Sequence, residues 1–186
     1  MKQIWSPWRI EYIRNEQPKG CVFCDKPRES TDPENLILFR GQHCFVMMNR
    51  YPYNNGHLLV VPYLHVSMPN ELQQDALLEL DIEINMCLEV LSEAMHPEGF
   101  NIGMNLGTAA GAGIKDHLHA HVVPRWTGDT NFMAVLDDTR VIVEGLEHAY
   151  ATLRPLFDCR CEPPAGLTIE PLHLDQSIES DAPQES

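Results

Sequence analysis

Residues 116–126 have the sequence DHLHAHVVPRW, which places His117, His119 and His121 at alternate positions. In a β-strand, side chains at i, i+2 and i+4 point to one face, so this spacing predicts a strand with three imidazoles on one face. The intervening apolar residues then face a core: Leu118, Ala120, Val122. A satisfied polar strand face is the simpler interpretation, but three aligned histidines do nothing evident for folding, so the row predicts a functional site.

A glycine-rich stretch, GMNLGTAAGAG at residues 103–113, comes just before this row. Glycines such as Gly111 and Gly113 let backbone N–H groups approach an anion closely. A loop of this composition is by itself more often a plain turn. Because it leads directly into the histidines, we interpret it as an oxyanion cradle beside a nucleophile.

Length and composition limit the class of protein. A chain of 186 residues is long enough for one domain with a core. No run of eighteen apolar residues or apolar leader is visible, so we expect a cytoplasmic protein whose six cysteines are thiols or metal ligands. A net charge of −14 disfavours nucleic acid as a partner.

The hydrophobic pattern predicts an α+β fold with a mainly antiparallel sheet, one long packing helix and a C-terminal helix. The long helix runs from Asn70, as N-cap, to His96, with Leu77 among its core positions. The strands are predicted at 36–40, 44–48, 57–61, 100–106 and 117–123, and the C-terminal helix at 141–157. We assign residues 1–158 to a catalytic domain that begins with an N-terminal arm, and 159–186 to an acidic tail containing Pro and Ser that we expect to be disordered.

His119 has a histidine neighbour on each side and is the best candidate nucleophile. An imidazole can attack phosphorus through one ring nitrogen when the other nitrogen donates a hydrogen bond that fixes the tautomer. Attack on an α-phosphate gives a nucleotidyl-histidine, which water or phosphate then resolves. We expect His121 to contact a phosphate oxygen or the leaving group.

The histidine row and glycine loop together resemble the histidine-triad (HIT) family of nucleotide hydrolases and transferases. The family signature alternates three histidines with apolar residues, and the match here is complete. The resemblance covers roughly residues 21–135. The stretches NRYPYNNGH at 49–57, VPRWTGDTNF at 123–132 and WSPWR at 5–9 are similar in finer detail to the branch that cleaves diadenosine tetraphosphate (Ap4A). The resemblance implies a homodimer, a fourth site histidine at His57, a ribose contact from Asn49 and a phosphate contact from Asn105.

Two other functions stay open from the sequence. One is a nucleoside phosphoramidate hydrolase that uses the same nucleophile with another leaving group. The other is a non-catalytic nucleotide sensor or adaptor, which the intact triad disfavours because binding alone does not need a centred nucleophile. Gly113 stands where the Ap4A branch often has serine, so a hydroxyl contact is missing and either water or phosphate can be the acceptor.

Cys21 and Cys24 have the spacing of a metal knuckle, although such a pair often binds nothing. Resemblance to HIT proteins that pair such cysteines with two histidines implies that His65 and His117 complete a structural zinc site, with one zinc per chain. Cys44 and Cys87 are expected to be buried apolar fillers.

Overall fold

The computed structural model describes residues 20–129 and 144–160. The predicted N-terminal arm and the predicted disordered tail beyond Arg160 lie outside the described residues. Within the described part of the chain, no helix is long and apolar enough to cross a bilayer.

A five-stranded antiparallel sheet forms the centre of the fold and confirms the predicted fold class. Its spatial order is β1-β2-β3-β5-β4. The central strand is β3, in agreement with its continuous apolar sequence and complete burial. The strands are β1 (Ile37–Arg40), β2 (Cys44–Met48), β3 (Leu58–Pro62), β4 (Gly99–Met104) and β5 (Ala120–Arg125).

Among the described residues, four α-helices accompany the sheet: α1 (Val22–Asp25), α2 (Asp32–Asn35), α3 (Gln74–Met95) and α4 (Leu146–Asp158). The long helix α3 packs on one face of the sheet, against β2, β3 and β5. The C-terminal helix α4 packs against β1 at the sheet edge. There, the Tyr150 hydroxyl and the Arg154 guanidinium donate to the carbonyl of Ile37 at 3.0 and 3.1 Å, beside a bulge in β1.

The helix boundaries differ from the predicted ones. Asn70 is not the N-cap of the long helix, because it lies in a separate 3₁₀ turn, Pro69–Glu71. The Glu71 carboxylate accepts from the N–H groups of Ser67 and Met68 and holds that turn. Leu77, predicted to be core, is 36% exposed. The C-terminal helix begins at Leu146, and residues 25–35, where no regular element was predicted, contain the 3₁₀ turn Lys26–Arg28 and the short helix α2.

The histidine row lies in the sheet only in part. Ala120 pairs with Val60 and begins β5, so His117 and His119 precede the strand, beside the end of β3 at Pro62. The backbone there pairs elsewhere: the Leu118 N–H donates to the Val66 carbonyl at 2.6 Å. The predicted strand start at His117 is therefore wrong. The alternation itself is correct, since Leu118, Ala120 and Val122 all lie in the core.

A smaller apolar cluster covers the opposite face of the sheet from α3. Phe23 of α1 belongs to it, and the segment of Cys21 and Val22 packs against it. The other buried members come from the first three strands: Ile37, Phe45, Met47, Leu59, Val61. The cysteine knuckle is therefore held against the face of the sheet that carries the histidines.

Candidate active site

His119 has the hydrogen bond that a nucleophilic imidazole needs. Its Nδ1 lies 2.8 Å from the carbonyl oxygen of His117, and because that oxygen can only accept, Nδ1 must carry the proton. In the neutral ring, Nε2 is then the nitrogen with the lone pair. Burial lowers the pKa of His119, although the carbonyl contact opposes this shift. At neutral pH the ring is therefore neutral and nucleophilic.

His57 and His121 form a directed pair. The Tyr53 N–H donates to His57 Nδ1 at 3.0 Å, and the Asn49 amide nitrogen lies 3.3 Å from the same atom. His57 Nδ1 is thus an acceptor, so the proton of the neutral ring is on Nε2. That nitrogen lies 2.9 Å from His121 Nδ1 and donates to it.

The same reasoning places the remaining proton on His121. Because His121 Nδ1 accepts from His57, its Nε2 carries hydrogen and is a donor. That atom is buried, and no described residue is its partner. Burial, together with repulsion from neighbouring histidines, lowers the pKa of His57 to about 3 and that of His121 to about 4. Both rings are neutral at pH 7, and a buried donor is available to a bound anion.

Asn49 contacts the hydrogen-bonded pair of His57 and His121, which we call the histidine relay. This contact bears on the ribose contact that was expected of Asn49. Its Oδ1 accepts from the Tyr51 N–H at 2.9 Å, and its amide nitrogen approaches His57. In this structure the side chain therefore stabilises the turn and the His57 tautomer. The ribose contact stays a prediction.

The glycine loop is adjacent to the histidines through the sheet register. Gly103 pairs with His121 and Met104 with Ala120, so the chain leaves β4 next to the row. Gly111 has φ +83°, a conformation that favours glycine, whereas an added Cβ at Gly113 meets no atom within 4 Å. Asn105 is half-buried just after β4, and no side-chain hydrogen bond joins it to a histidine among the described residues.

Cys21, Cys24, His65 and His117 meet at one point, with their ligand atoms all within 4.8 Å of one another. The Sγ–Nδ1 and Nδ1–Nδ1 distances that join them are 3.2–3.5 Å. Tetrahedral zinc with ordinary bond lengths spaces its nitrogen and sulfur ligands by roughly 3.3–3.8 Å. The Pro62 carbonyl accepts from His117 Nε2 at 2.8 Å, which leaves Nδ1 as the lone-pair nitrogen toward the cluster. The four residues therefore fit a closed zinc site.

Two aromatic residues at the site were not predicted. Phe23, between the two knuckle cysteines, has its ring centroid 5.5 Å from that of His117 and 5.0 Å from that of His119. Tyr53 lies over His57 and His121, at 4.6 and 5.6 Å. Phe23 could have been found from its place inside the Cys-x-Phe-Cys sequence, whereas nothing in the sequence marks Tyr53 except its closeness to His57. Cys44 and Cys87 are fully buried, as predicted.

Comparison with known proteins identifies the family. A model of the HIT domain matches residues 30–128, which is just over half of the chain. The chain belongs to the HIT domain family. The AP-4-A phosphorylase of Mycobacterium tuberculosis is 38% identical to this HIT protein in an alignment of 151 residues, and the match covers 76% of this chain and 77% of the relative.

More distant relatives share the same domain. The asymmetrical bis(5'-nucleosyl)-tetraphosphatase of Schizosaccharomyces pombe is 25% identical over 145 residues, 78% of this HIT protein and 76% of the relative. A solved Zn-bound histidine triad family protein from Mycobacterium smegmatis has a TM-score of 0.59 at 23% identity. The match covers 75% of this chain and 94% of that one, and it shows the fold.

Proposed function

We propose that this HIT protein cleaves dinucleoside polyphosphates such as Ap4A through a nucleotidyl-histidine intermediate on His119. The observation that carries the proposal is the 2.8 Å contact from His119 Nδ1 to the His117 carbonyl, which leaves Nε2 free to attack. The similarity to an AP-4-A phosphorylase and to a tetraphosphatase supports this substrate class.

The first step is in-line attack on an α-phosphorus. A bond forms between His119 Nε2 and phosphorus, and the bond from phosphorus to the bridging oxygen of the leaving nucleotide breaks. The attached imidazole becomes cationic, and the His117 carbonyl stabilises that charge through the Nδ1 proton. The Nε2–H of His121 donates to the phosphate or to the departing oxygen, and His57 holds His121 in the required tautomer.

The second step returns the nucleotide to an acceptor. Water or inorganic phosphate attacks the same phosphorus, and the bond to His119 breaks. The glycine loop, with Asn105, Gly111 and Gly113, is proposed to bind the phosphate chain, and Asn49 to contact a ribose. The position of the loop beside His121 in the sheet register supports this assignment.

We also propose that Cys21, Cys24, His65 and His117 hold one structural zinc. A zinc ion with four protein ligands supplies no open position for substrate, so it would act by joining the knuckle to the segment that carries His119. The fit of the four side chains supports this, as does the solved Zn-bound family member.

The catalytic domain is assigned to residues 1–158, and we expect a cytoplasmic homodimer whose ligand is a nucleotide.

Trapping of the intermediate tests the function. The protein is mixed with Ap4A labelled on the α-phosphate, quenched within the first turnovers and analysed by mass spectrometry. The parent should carry a nucleotidyl group on His119. His119→Ala should lose several orders of magnitude in turnover but still bind nucleotide, because only the covalent step is removed. A His119→Ala variant that keeps more than about a tenth of parent activity would exclude this nucleophile.

A further inference from the structure

Tyr53 contacts both members of the histidine relay. Its ring is tilted over His57, with the centroids 4.6 Å apart. It also stacks on His121 at 5.6 Å, with only 26° between the planes. The side chain is 49% exposed, so the ring lies at the surface above two more deeply placed imidazoles.

The backbone of the same residue orients the relay from a second direction. The Tyr53 N–H donates to His57 Nδ1 at 3.0 Å and so selects the tautomer that donates to His121. The turn that carries Tyr53 is itself anchored, because the Asn54 amide donates to the Pro124 carbonyl and to Asp129, at 3.0 and 2.8 Å. One short segment therefore fixes both the proton on His57 and the space above His121.

We propose that Tyr53 is a positioning residue whose ring keeps His121 in line with His57 and shields both imidazoles from water; this inference rests on the proposed function. His121 is only partly buried at the beginning of β5, and its ring is free to turn unless its faces are packed. The hydrogen bond from His57 restrains one atom, whereas the aromatic ring restrains the plane. Together they direct the Nε2–H toward a bound phosphate.

Tyr53 also helps to explain why the two imidazoles stay neutral. Among the residues that the structure describes, the rings that face His121 are those of His57, His119 and Tyr53. None of these is a carboxylate that would favour protonation. A ring in place of water therefore favours the neutral donor form of His121 over the imidazolium.

Three substitutions distinguish the effect of the Tyr53 ring from the effects of its hydroxyl and of losing an exposed side chain. Tyr53→Ala removes the ring but keeps the backbone N–H on His57. Tyr53→Phe keeps the ring and removes only the hydroxyl. Ile82→Ala is the control, because Ile82 is equally exposed at 49% but lies on α3. Each variant is measured for melting temperature, for kcat and KM with Ap4A, and by ¹⁵N NMR titration of the histidine ring nitrogens.

Tyr53→Ala should lower kcat about tenfold with little change in KM, since stacking of this kind contributes roughly that factor. In this variant the ¹⁵N shifts of His121 should move toward those of a mixture of tautomers, and the pKa of His121 should rise. Tyr53→Phe should match the parent in kcat and in the His121 shifts, and Ile82→Ala should match it in every measurement. A Tyr53→Ala variant with parent kcat and parent His121 shifts would overturn the proposal, as would a Tyr53→Phe variant that is equally slow.

The NMR readout also separates this inference from the proposed function. It is repeated in the His119→Ala background, where no turnover is needed. If the parent forms no nucleotidyl adduct, the proposed function fails, and the His121 shifts still report whether Tyr53 orients the ring. If the adduct forms and those shifts do not respond to Tyr53→Ala, the inference fails alone.

Discussion

The carbonyl of His117 and the Nδ1 of His119 are 2.8 Å apart, while the His117 ring points its own Nδ1 at the cysteine knuckle. One residue therefore joins the proposed zinc cluster to the proposed nucleophile. Its side chain belongs to the cluster and its backbone sets the tautomer of the reacting ring. Any change that moves the knuckle should be transmitted to His119 through His117 and through the ring of Phe23, which contacts both histidines.

Removal of one zinc ligand should destabilise the whole domain. Because zinc binds only the folded site, Cys24→Ser should lower zinc content from about one per chain. A hundredfold weaker zinc affinity corresponds to about 2.7 kcal/mol, and so to a melting temperature lower by roughly 5–10 °C. His65→Ala should behave in the same way although it has no proposed chemical role. Metal analysis and thermal unfolding measure both effects.

The control for the zinc prediction is Cys159→Ser, since Cys159 is an exposed thiol outside the cluster. It should leave zinc content and melting temperature unchanged. Zinc-free protein with full stability and full activity would refute the site and leave His117 with its backbone role only.

The acceptor should depend on residue 113. Gly113 lacks the hydroxyl that the related branch often has, so we expect water to compete with phosphate, and Ap4A at modest phosphate should give AMP and ATP. Gly113→Ser should shift the products toward ADP and ATP, because a Cβ there meets nothing within 4 Å and the new hydroxyl can contact phosphate. Gly113→Ala is the matched control. Chromatography of the products distinguishes the two acceptors. ADP as the main product of the parent would contradict the prediction.

Glu83 should make stability depend on pH. It is 1% exposed on the packing face of α3, and burial, with the nearby charge of Glu79, raises its pKa to about 9. Between the pKa of an unfolded glutamate, about 4.3, and pH 9, the folded protein retains a proton that the unfolded chain releases. The stability contribution of Glu83 is therefore complete below that window and decreases as the pH rises through it.

Glu83→Gln removes this titration with little change in shape. The variant should gain stability relative to the parent as the pH is raised from 5 to 9, in denaturant unfolding at several pH values. Asp81→Asn, an exposed carboxylate on the same helix, should show no such trend. Parallel pH curves for the parent and Glu83→Gln would mean that Glu83 does not retain its proton in the folded protein.

Local pattern was sufficient for much of the fold. The alternation of Leu118, Ala120 and Val122 predicted which side of the histidine row faces the core, and the apolar run at residues 58–61 predicted a strand, which lies at the centre of the sheet. The first follows from the two-residue period of extended chain, and the second from the burial of a central strand on both faces. The same kind of pattern failed for Glu83, which has the spacing of a charged surface position but lies in the core, and for Leu77, which is more exposed than its period suggests.

The sequence by itself determined the candidate site residues: the three histidines, the knuckle cysteines and the glycine loop are all contained in short contiguous segments. Only the tertiary structure decided how they act together. His57 is 64 residues from His121, and Cys21 is 96 residues from His117, and no local rule reports such separations. The direction of each proton depends on which atom lies opposite it, as with the Tyr53 N–H on His57. Sheet register and the docking of α1 set those distances. The tautomers of the rings, the hydrogen bond between His57 and His121 and the geometry of the proposed metal ligands are therefore properties of the folded chain.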